Sequence, residues 1–140
     1  MADATYVITR DAAVNPAEIV TLQIASGSTG WGVGTEAAWA ECIAESLCVV
    51  QARDEEGALA GIGFLVGNSR HAQLVDVAIH PAAQRRGVGR RLVEELIEAA
   101  RVKGIRYLGV IRDPATPRLQ GFYRSVGFDD IDFAMSLPAR

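Results

Sequence analysis

Apolar and polar residues recur with helical spacing in four segments of the chain. In the longest, residues 88–103, apolar side chains return every three or four positions and charged ones cover the opposite side, which predicts an amphipathic helix. An earlier helix is predicted after Asn15, where a proline opens the helix and Glu18 completes a capping-box pattern. Two more helices are predicted from Thr35 and from Thr116.

Shorter apolar runs bounded by turn residues predict strands between these helices. The order is a strand, two helices, three or four strands, a helix, a strand, a helix and a last strand. That order predicts an α/β fold with a mixed sheet, in which hairpins come early and a crossover helix comes late. With 140 residues, the chain is expected to form a single domain, residues 1–140. The predicted strands cover residues 6–9, 48–52, 59–66, 74–79, 107–111 and 128–137.

Charge and cysteine content narrow the classes of partner. The net charge of −3 gives no general attraction to nucleic acid or to an anionic membrane, so neither is expected as a partner. Cys42 and Cys48 fit no metal-site spacing and are interpreted as reduced core residues, so no metal is expected. Residues 1–5 show no part of a signal peptide and no apolar run is long enough to cross a membrane, so a cytoplasmic location is expected.

The most informative stretch lies between the strand that ends near residue 79 and the long helix. Two glycines and basic side chains at a strand-to-helix turn favour anion binding, because backbone N–H groups at a helix start lack internal partners and the helix dipole adds positive potential. A pyrophosphate suits such a site, and an ordinary tight turn is the alternative. The third glycine of the dinucleotide fingerprint and the lysine of the Walker pattern are absent. The stretch comprises Gln84, Arg85, Arg86, Gly87, Val88 and Gly89.

Two motifs resemble those of the GNAT superfamily of N-acetyltransferases. The stretch at 84–89 matches the acetyl-CoA motif Gln/Arg-x-x-Gly-x-Gly/Ala, and residues 122–128 match Phe/Leu-Tyr, four residues, then Phe. Gly30-Trp31, Asp76 and residues 133–135 also resemble the serotonin-type (arylalkylamine) branch. The resemblance implies a mixed, mostly antiparallel central sheet of six to seven strands flanked by about four helices.

The resemblance also implies how acetyl-CoA is bound. Backbone amides from Arg85 to Arg90 would hold the pyrophosphate, with Gln84 nearby. Backbone groups of the preceding strand would bond the pantetheine arm as if it were an added strand. In the family, a bulge splays that strand from its neighbour, and the spacing here does not show whether this chain has one. The cofactor-binding residues implied are Val77, Ala78, Ile79, Gln84, Arg85, Arg86, Gly87, Val88, Gly89 and Arg90.

Tyr123 falls at the general-acid position of the family. A phenol with a pKa near 10 can protonate a departing thiolate within hydrogen-bond reach. The alternative is a core aromatic on an amphipathic helix beside Phe122.

The general base is less defined by the sequence. Asp76 is the nearest carboxylate on the central strand, flanked by Val75 and Val77, where burial would raise its pKa. A structural hydrogen-bonding role for Asp76 is equally compatible. His80 precedes a proline and more simply ends the strand, and a water relayed by backbone groups could also serve as base.

Three residues outside the motifs bear on the pocket. Thr116 stands where many relatives have an Asn that contacts the cofactor arm, which leaves that contact in doubt. Trp39 fits the core stripe of its helix. Trp31, in a Gly-rich segment, is a candidate wall or lid of the acceptor pocket, with a purely structural role as the alternative.

These observations predict an acetyl-CoA-dependent N-acetyltransferase in which a primary amine attacks the acetyl thioester directly in a ternary complex. A non-catalytic acyl-CoA-binding or sensing module is the first alternative, since no clear base is present, and a nucleotide-binding protein is the second. The acceptor stays open between a small-molecule amine and a protein or peptide amine. An exposed last strand could pair two subunits into a homodimer.

Overall fold

The structure, a computed structural model, describes residues 5–111 and 116–131. Two 3-10 turns, Gly30–Gly32 and Pro81–Ala83, accompany the regular elements. All the predicted elements except the last strand are present, with boundaries shifted by a few residues. Its strands and helices are β1 (Val7–Arg10), α1 (Pro16–Ala25), α2 (Glu36–Glu45), β2 (Cys48–Arg53), β3 (Leu59–Gly67), β4 (His71–Ile79), α3 (Val88–Val102), β5 (Tyr107–Val110) and α4 (Pro117–Ser125).

The described strands form one sheet in the order β1-β2-β3-β4-β5. The first three pairs are antiparallel, and β4 pairs with β5 in parallel through the crossover helix α3. A mixed, mostly antiparallel sheet with four α-helices is therefore confirmed, but the described residues give five strands rather than six to seven.

The predicted last strand accounts for part of this difference. Its residues 132–137 lie outside the described residues, as do residues 133–135 of the branch resemblance. Residues 128–131 are not in a strand, because hydrogen bonds hold this segment against α4. The Phe128 amide donates to the Tyr123 carbonyl at 3.0 Å, and the Gln120 amide donates to the Asp130 carboxylate.

Two apolar layers cover the sheet, and glycines in β3 set how closely one of them packs. On one face α3 inserts Leu92 and Leu96 against the sheet, and on the other α1 and α2 pack Leu22 and Trp39. A Cβ at Gly63 would lie 2.8 Å from Leu96 Cδ1, so any larger residue would force the side chains of α3 to move away from the sheet. The predicted capping box of α1 is present. Within the described residues, no helix combines the length and apolarity needed to cross a membrane.

A bulge interrupts β4 at Asp76. Ile62 pairs with Ala78 but Phe64 pairs with Val75, so two residues of β4 oppose Gly63 of β3. Asp76 takes a left-handed φ of 51°, which is rare for a residue other than glycine. The bulge interrupts the alternation of side chains between the two faces of the sheet. The candidate site lies along the part of β4 that follows the bulge.

Candidate active site

A cleft of about 810 Å³ opens beside the carboxyl-terminal half of β4. Among the described residues, pairing between β4 and β5 ends at Leu74 and Val110, so the later residues of β4 have no β5 partner there. The walls come from β4 and the turn that follows it, from α4, and from the end of α1 with its loop. Val77, Ala78 and Ile79 line the cleft, as the implied pantetheine site requires.

The turn between β4 and α3 has the geometry of an anion-binding nest. Arg85 and Gly87 both have left-handed backbone, with φ of 64° and 77°. Gly87 is the N-cap of α3 and no side chain caps the helix, so the N–H groups of its first turn are available to a ligand. Alternating backbone of this kind turns successive N–H groups toward one point, where an anion is favoured.

Arginine side chains give this cleft positive charge, with the Arg90 guanidinium ion-paired to Glu94 at 2.8 Å. Arg85, Arg90 and Arg118 line it, and no Asp or Glu is among its described lining residues. Arg86 and Val88, two of the implied cofactor-binding residues, are not among the described residues that line it. A group with several negative charges is the ligand that this arrangement accommodates.

Two polar side chains near the turn have structural partners. The Gln84 amide donates to the Ile79 carbonyl at 3.2 Å and lines the cleft. His80 Nδ1 accepts from the Ala82 amide at 3.0 Å, so this imidazole caps the short turn after β4. Arg91 points elsewhere, donating to the Tyr6 carbonyl at 3.1 Å.

Tyr123 faces the cleft from α4 with its ring embedded in aromatic neighbours. The residue is 9% exposed, and its ring meets the edges of Phe122 and Phe128 at 5.1 and 5.8 Å between centroids. Its hydroxyl makes no hydrogen bond to any described residue, and burial raises the pKa of the phenol. The aromatic-core alternative and the acid role therefore coexist: the ring packs while the hydroxyl stays unpartnered.

Asp76 lies beside a different cavity. This smaller cavity, about 280 Å³, is lined by Asp76 together with Cys42, Glu45, Ser46 and Phe64, among others, and Tyr123 does not line it. Asp76 is exposed to solvent, yet partial desolvation by the surrounding protein raises the pKa of its carboxyl. The structure thus places the predicted acid and base in two different cavities, to which the consecutive β4 residues Asp76 and Val77 contribute one each.

The three other residues considered for the pocket, Trp39, Trp31 and Thr116, lie in different environments. Trp39 is in the core, with its Nε1 donating to the Val33 carbonyl at 2.8 Å and its ring stacked 5.5 Å from Phe64. Trp31 is 92% exposed and lines neither cavity, so its role as a pocket wall stays a prediction. Thr116 lines the cleft, and its hydroxyl makes no cap to α4.

Sequence reasoning missed the cleft residues that come from distant elements. Gln23, at the end of α1, and Arg118, in the first turn of α4, both line it. Gln23 was recognisable as a polar residue one position after the buried Leu22 and four after the buried Ile19. Arg118 carries no such signal. No group of three or more His, Cys, Asp or Glu capable of holding a metal occurs in the parts of the chain that the structure describes.

Comparison with known proteins gives matches over most of the chain. The sequence profile of the acetyltransferase (GNAT) family matches residues 13–128. Glucosamine 6-phosphate N-acetyltransferase 1 of Oryza sativa subsp. japonica is 35% identical over 101 residues, 67% of this chain and 59% of that protein. Serotonin N-acetyltransferase 2, chloroplastic, of the same rice is 38% identical over 58 residues, 41% of this chain and 28% of that protein. The chain thus spans less than two thirds of either relative.

The fold also matches a solved structure. Aminoglycoside N-acetyltransferase AAC(6')-Iy in complex with CoA superposes with a TM-score of 0.76 and 17% identity, covering 96% of this chain and 95% of that chain. At this identity the likeness shows a shared fold.

Proposed function

The chain belongs to the acetyltransferase (GNAT) family, and we propose that it transfers an acetyl group from acetyl-CoA to a primary amine. The observation that carries the proposal is the nest at Arg85 and Gly87, which opens into a cleft lined by three arginines and by the unpartnered Tyr123 hydroxyl. An anion site and a proton donor in one cleft suit a ligand with a diphosphate at one end and a leaving thiolate at the other.

The residues of the cleft fit acetyl-CoA, which supplies the acetyl group as a thioester when bound. Backbone N–H groups from Arg85 to Arg90 would hold the pyrophosphate, with Arg118 adding charge. The edge of β4 from Val77 to Ile79, which pairs with no described residue of β5, would bond the amides of the pantetheine arm. The side chains of Val77 and Ile79 already pack on the α3 face, so the backbone of β4 is the part left for the ligand.

Each proton in the proposed reaction has a residue assigned to it. Asp76 accepts a proton from the incoming ammonium, which leaves a neutral amine able to attack the acetyl carbon. As the C–N bond forms and the C–S bond breaks, Tyr123 gives its proton to the departing sulfur, and the resulting phenolate takes the remaining extra proton from the new amide nitrogen. Asp76 then releases its proton to solvent, and no covalent enzyme intermediate is needed.

The acceptor amine is assigned to the smaller cavity beside Asp76. Glu45 and Asp76 give its wall negative charge, Phe64 and Val66 give it apolar surface, and no Lys or Arg is among its described lining residues. That lining suits an alkyl- or arylalkylamine cation and offers nothing to pair with a phosphate. We therefore propose an acceptor closer to that named for the serotonin relative than to glucosamine 6-phosphate.

Calorimetry with acetyl-CoA, followed by an amine panel that monitors CoA release, tests this proposal. We expect acetyl-CoA to bind in a one-to-one complex, and arylalkylamines to release CoA faster than glucosamine 6-phosphate does. No heat with acetyl-CoA on folded protein would contradict the cofactor assignment. Preference for the phosphorylated sugar would contradict the acceptor assignment alone.

One observation favours a second candidate, a module that binds an acyl-CoA without transferring the acyl group. Tyr123 and Asp76 do not line a common cavity, so acid and base have to act across the β4 bulge. The two functions separate in the same experiment. Tight binding of acetyl-CoA with no CoA release from any amine in the panel would favour the binding module.

A further inference from the structure

Two glutamines are the only buried polar or charged residues in the described part of the chain, and they differ in how their side chains are satisfied. The Gln51 amide uses its donors on the Ala12 and Ala13 carbonyls, at 2.9 and 3.2 Å, and its oxygen accepts from Arg53. Every polar atom of that side chain is therefore bonded within the fold. Gln51 behaves as a structural residue that fastens the segment before α1 to the sheet.

Gln23 is also buried, at 4% exposed, but only the oxygen of its side-chain amide has a hydrogen-bond partner among the described residues. Its Oε1 accepts from the Ser28 hydroxyl at 2.9 Å. Its Nε2 donates to none of the residues that the structure describes, and the atom is not sealed from solvent. A buried amide group with free donors is costly unless a ligand or water bonds it.

The position of Gln23 places its side chain at the large cleft. Gln23 lines the large cleft together with the loop at 26–28. Helix α1 packs on the face of the sheet that holds Ala78, while Tyr123 belongs to the core on the α3 face. Gln23 and Tyr123 thus approach the β4 edge from opposite faces, with the cleft between them.

We propose that Gln23 is a ligand-positioning residue whose Nε2 donates a hydrogen bond to a carbonyl oxygen of the acyl-CoA in the cleft, an inference that rests on the proposed function. The chemistry of the amide defines its partner, because free N–H donors require an acceptor. The diphosphate already has the nest and the arginines. The neutral carbonyl oxygens of the ligand are the two of the pantetheine arm and the one of the acetyl group.

A purely structural role would make Gln23 only the anchor of the loop at 26–28. The Gln23 carbonyl does accept from the Ser28 amide at 3.0 Å and from the Ser26 hydroxyl at 3.1 Å. These backbone bonds persist whatever side chain is present at 23. The side-chain contribution to the loop is the single bond from Ser28, which a Ser28→Ala variant removes without touching Nε2.

Calorimetric titration of three variants with CoA and with acetyl-CoA tests the inference. Gln23→Met keeps the volume and removes the donors, Gln23→Glu keeps the acceptor for Ser28 and removes the donors, and Ser28→Ala is the matched control. We expect both Gln23 variants to bind acetyl-CoA roughly five- to a hundredfold more weakly than wild type, and Ser28→Ala to stay within about threefold. Weakening with both ligands indicates a pantetheine carbonyl, and weakening with acetyl-CoA alone indicates the acetyl carbonyl.

Several outcomes would overturn it. Unchanged affinity in a folded Gln23→Met variant, weakening in Gln23→Glu alone, or equal weakening in Ser28→Ala would each reject a donor role. A wild-type protein that binds no acetyl-CoA rejects the proposed function instead, so the two failures are distinguishable.

A measurement on the wild-type protein tests the same inference without any variant, so it remains valid if a Gln23 variant does not fold. The side-chain NH₂ signals of Gln23 and Gln51 are followed by nuclear magnetic resonance as acetyl-CoA saturates the protein. We expect the Gln23 pair to move downfield while the Gln51 pair stays in place, because the Gln51 donors are already bonded. A stationary Gln23 pair at saturation would overturn the inference.

Discussion

Arg90, at the start of α3, holds Ser125, at the end of α4. Its Nη1 lies 3.3 Å from the Ser125 hydroxyl oxygen and its Nη2 lies 3.3 Å from the Ser125 carbonyl oxygen. Arg90 also forms an ion pair with Glu94, one helical turn on, at 2.8 Å. One side chain therefore connects the helix that begins at the anion site with the helix that carries Tyr123.

Removing this connection is expected to loosen α4. In Arg90→Met, the two hydrogen bonds to Ser125 are lost, and amides of α4 should exchange with deuterium roughly two- to tenfold faster in the free protein. Glu94→Gln is the matched control, because it weakens the ion pair but leaves Arg90 bonded to Ser125. Equal exchange of α4 in both variants would show that Arg90 does not position that helix.

Tyr123→Phe is expected to lower turnover by about tenfold or more while the affinity for acetyl-CoA stays within a few-fold. The ring and its contacts with Phe122 and Phe128 remain, and only the unpartnered hydroxyl is lost. Because burial raises the pKa of Tyr123, the phenol stays protonated up to a pH above its ordinary value, so its ionisation produces no loss of activity near neutral pH. Unchanged turnover would remove Tyr123 from the acid role.

Much of the fold was predictable because its signals are local. The cap at Asn15, the amphipathic stripe of α3 and the left-handed glycine at 87 each determine structure within a few residues. The family followed from two such motifs. The cleft walls contributed by Gln23 and Arg118 were not predictable, since they depend on how α1 and α4 pack around a distant strand.

The bulge at Asp76 is a clearer example of a feature that the sequence does not predict. In a regular strand Val75 and Val77 would share a face, but here Val75 packs on the α1 and α2 side while Val77 packs on the α3 side. Asp76 is the extra residue at this change of phase. Nothing in the alternation of its neighbours indicates a left-handed φ, so the cavity that Asp76 faces could not be read from the sequence.

Asp76 should also impose a pH dependence on activity. Partial desolvation raises the pKa of its carboxyl, so turnover is expected to rise with pH as Asp76 loses its proton at a pH above its ordinary range. Asp76→Asn should abolish this rise and lower turnover by roughly a hundredfold. Glu45→Gln, in the same cavity, is the control and should keep the pH profile. A pH profile that survives in Asp76→Asn would assign the base to another group or to water.

The same shift in pKa has a consequence for stability. Because the folded state binds this proton more tightly than the unfolded state, stability falls as pH rises from the unfolded to the folded pKa of Asp76, and above both values the ionised carboxyl is a net cost. Because Asp76 is exposed and water screens its charge, Asp76→Asn should raise the melting temperature at pH 7 only slightly and leave it unchanged at a pH below both values. A melting temperature that falls at pH 7 would show that Asp76 makes a stabilising contact instead.

Two substitutions at Gly87 distinguish the effect of backbone geometry on acetyl-CoA affinity from the effect of charge. Its φ of 77° suits glycine, and Asn and Asp are the side chains that best tolerate this region. Gly87→Asn and Gly87→Asp have nearly the same shape, but only Asp sets a negative charge beside the proposed pyrophosphate. At low salt we expect Gly87→Asp to bind acetyl-CoA roughly ten- to a hundredfold more weakly than Gly87→Asn, with the gap narrowing as salt is added. Equal affinities for the two variants at low salt would place the diphosphate away from this turn.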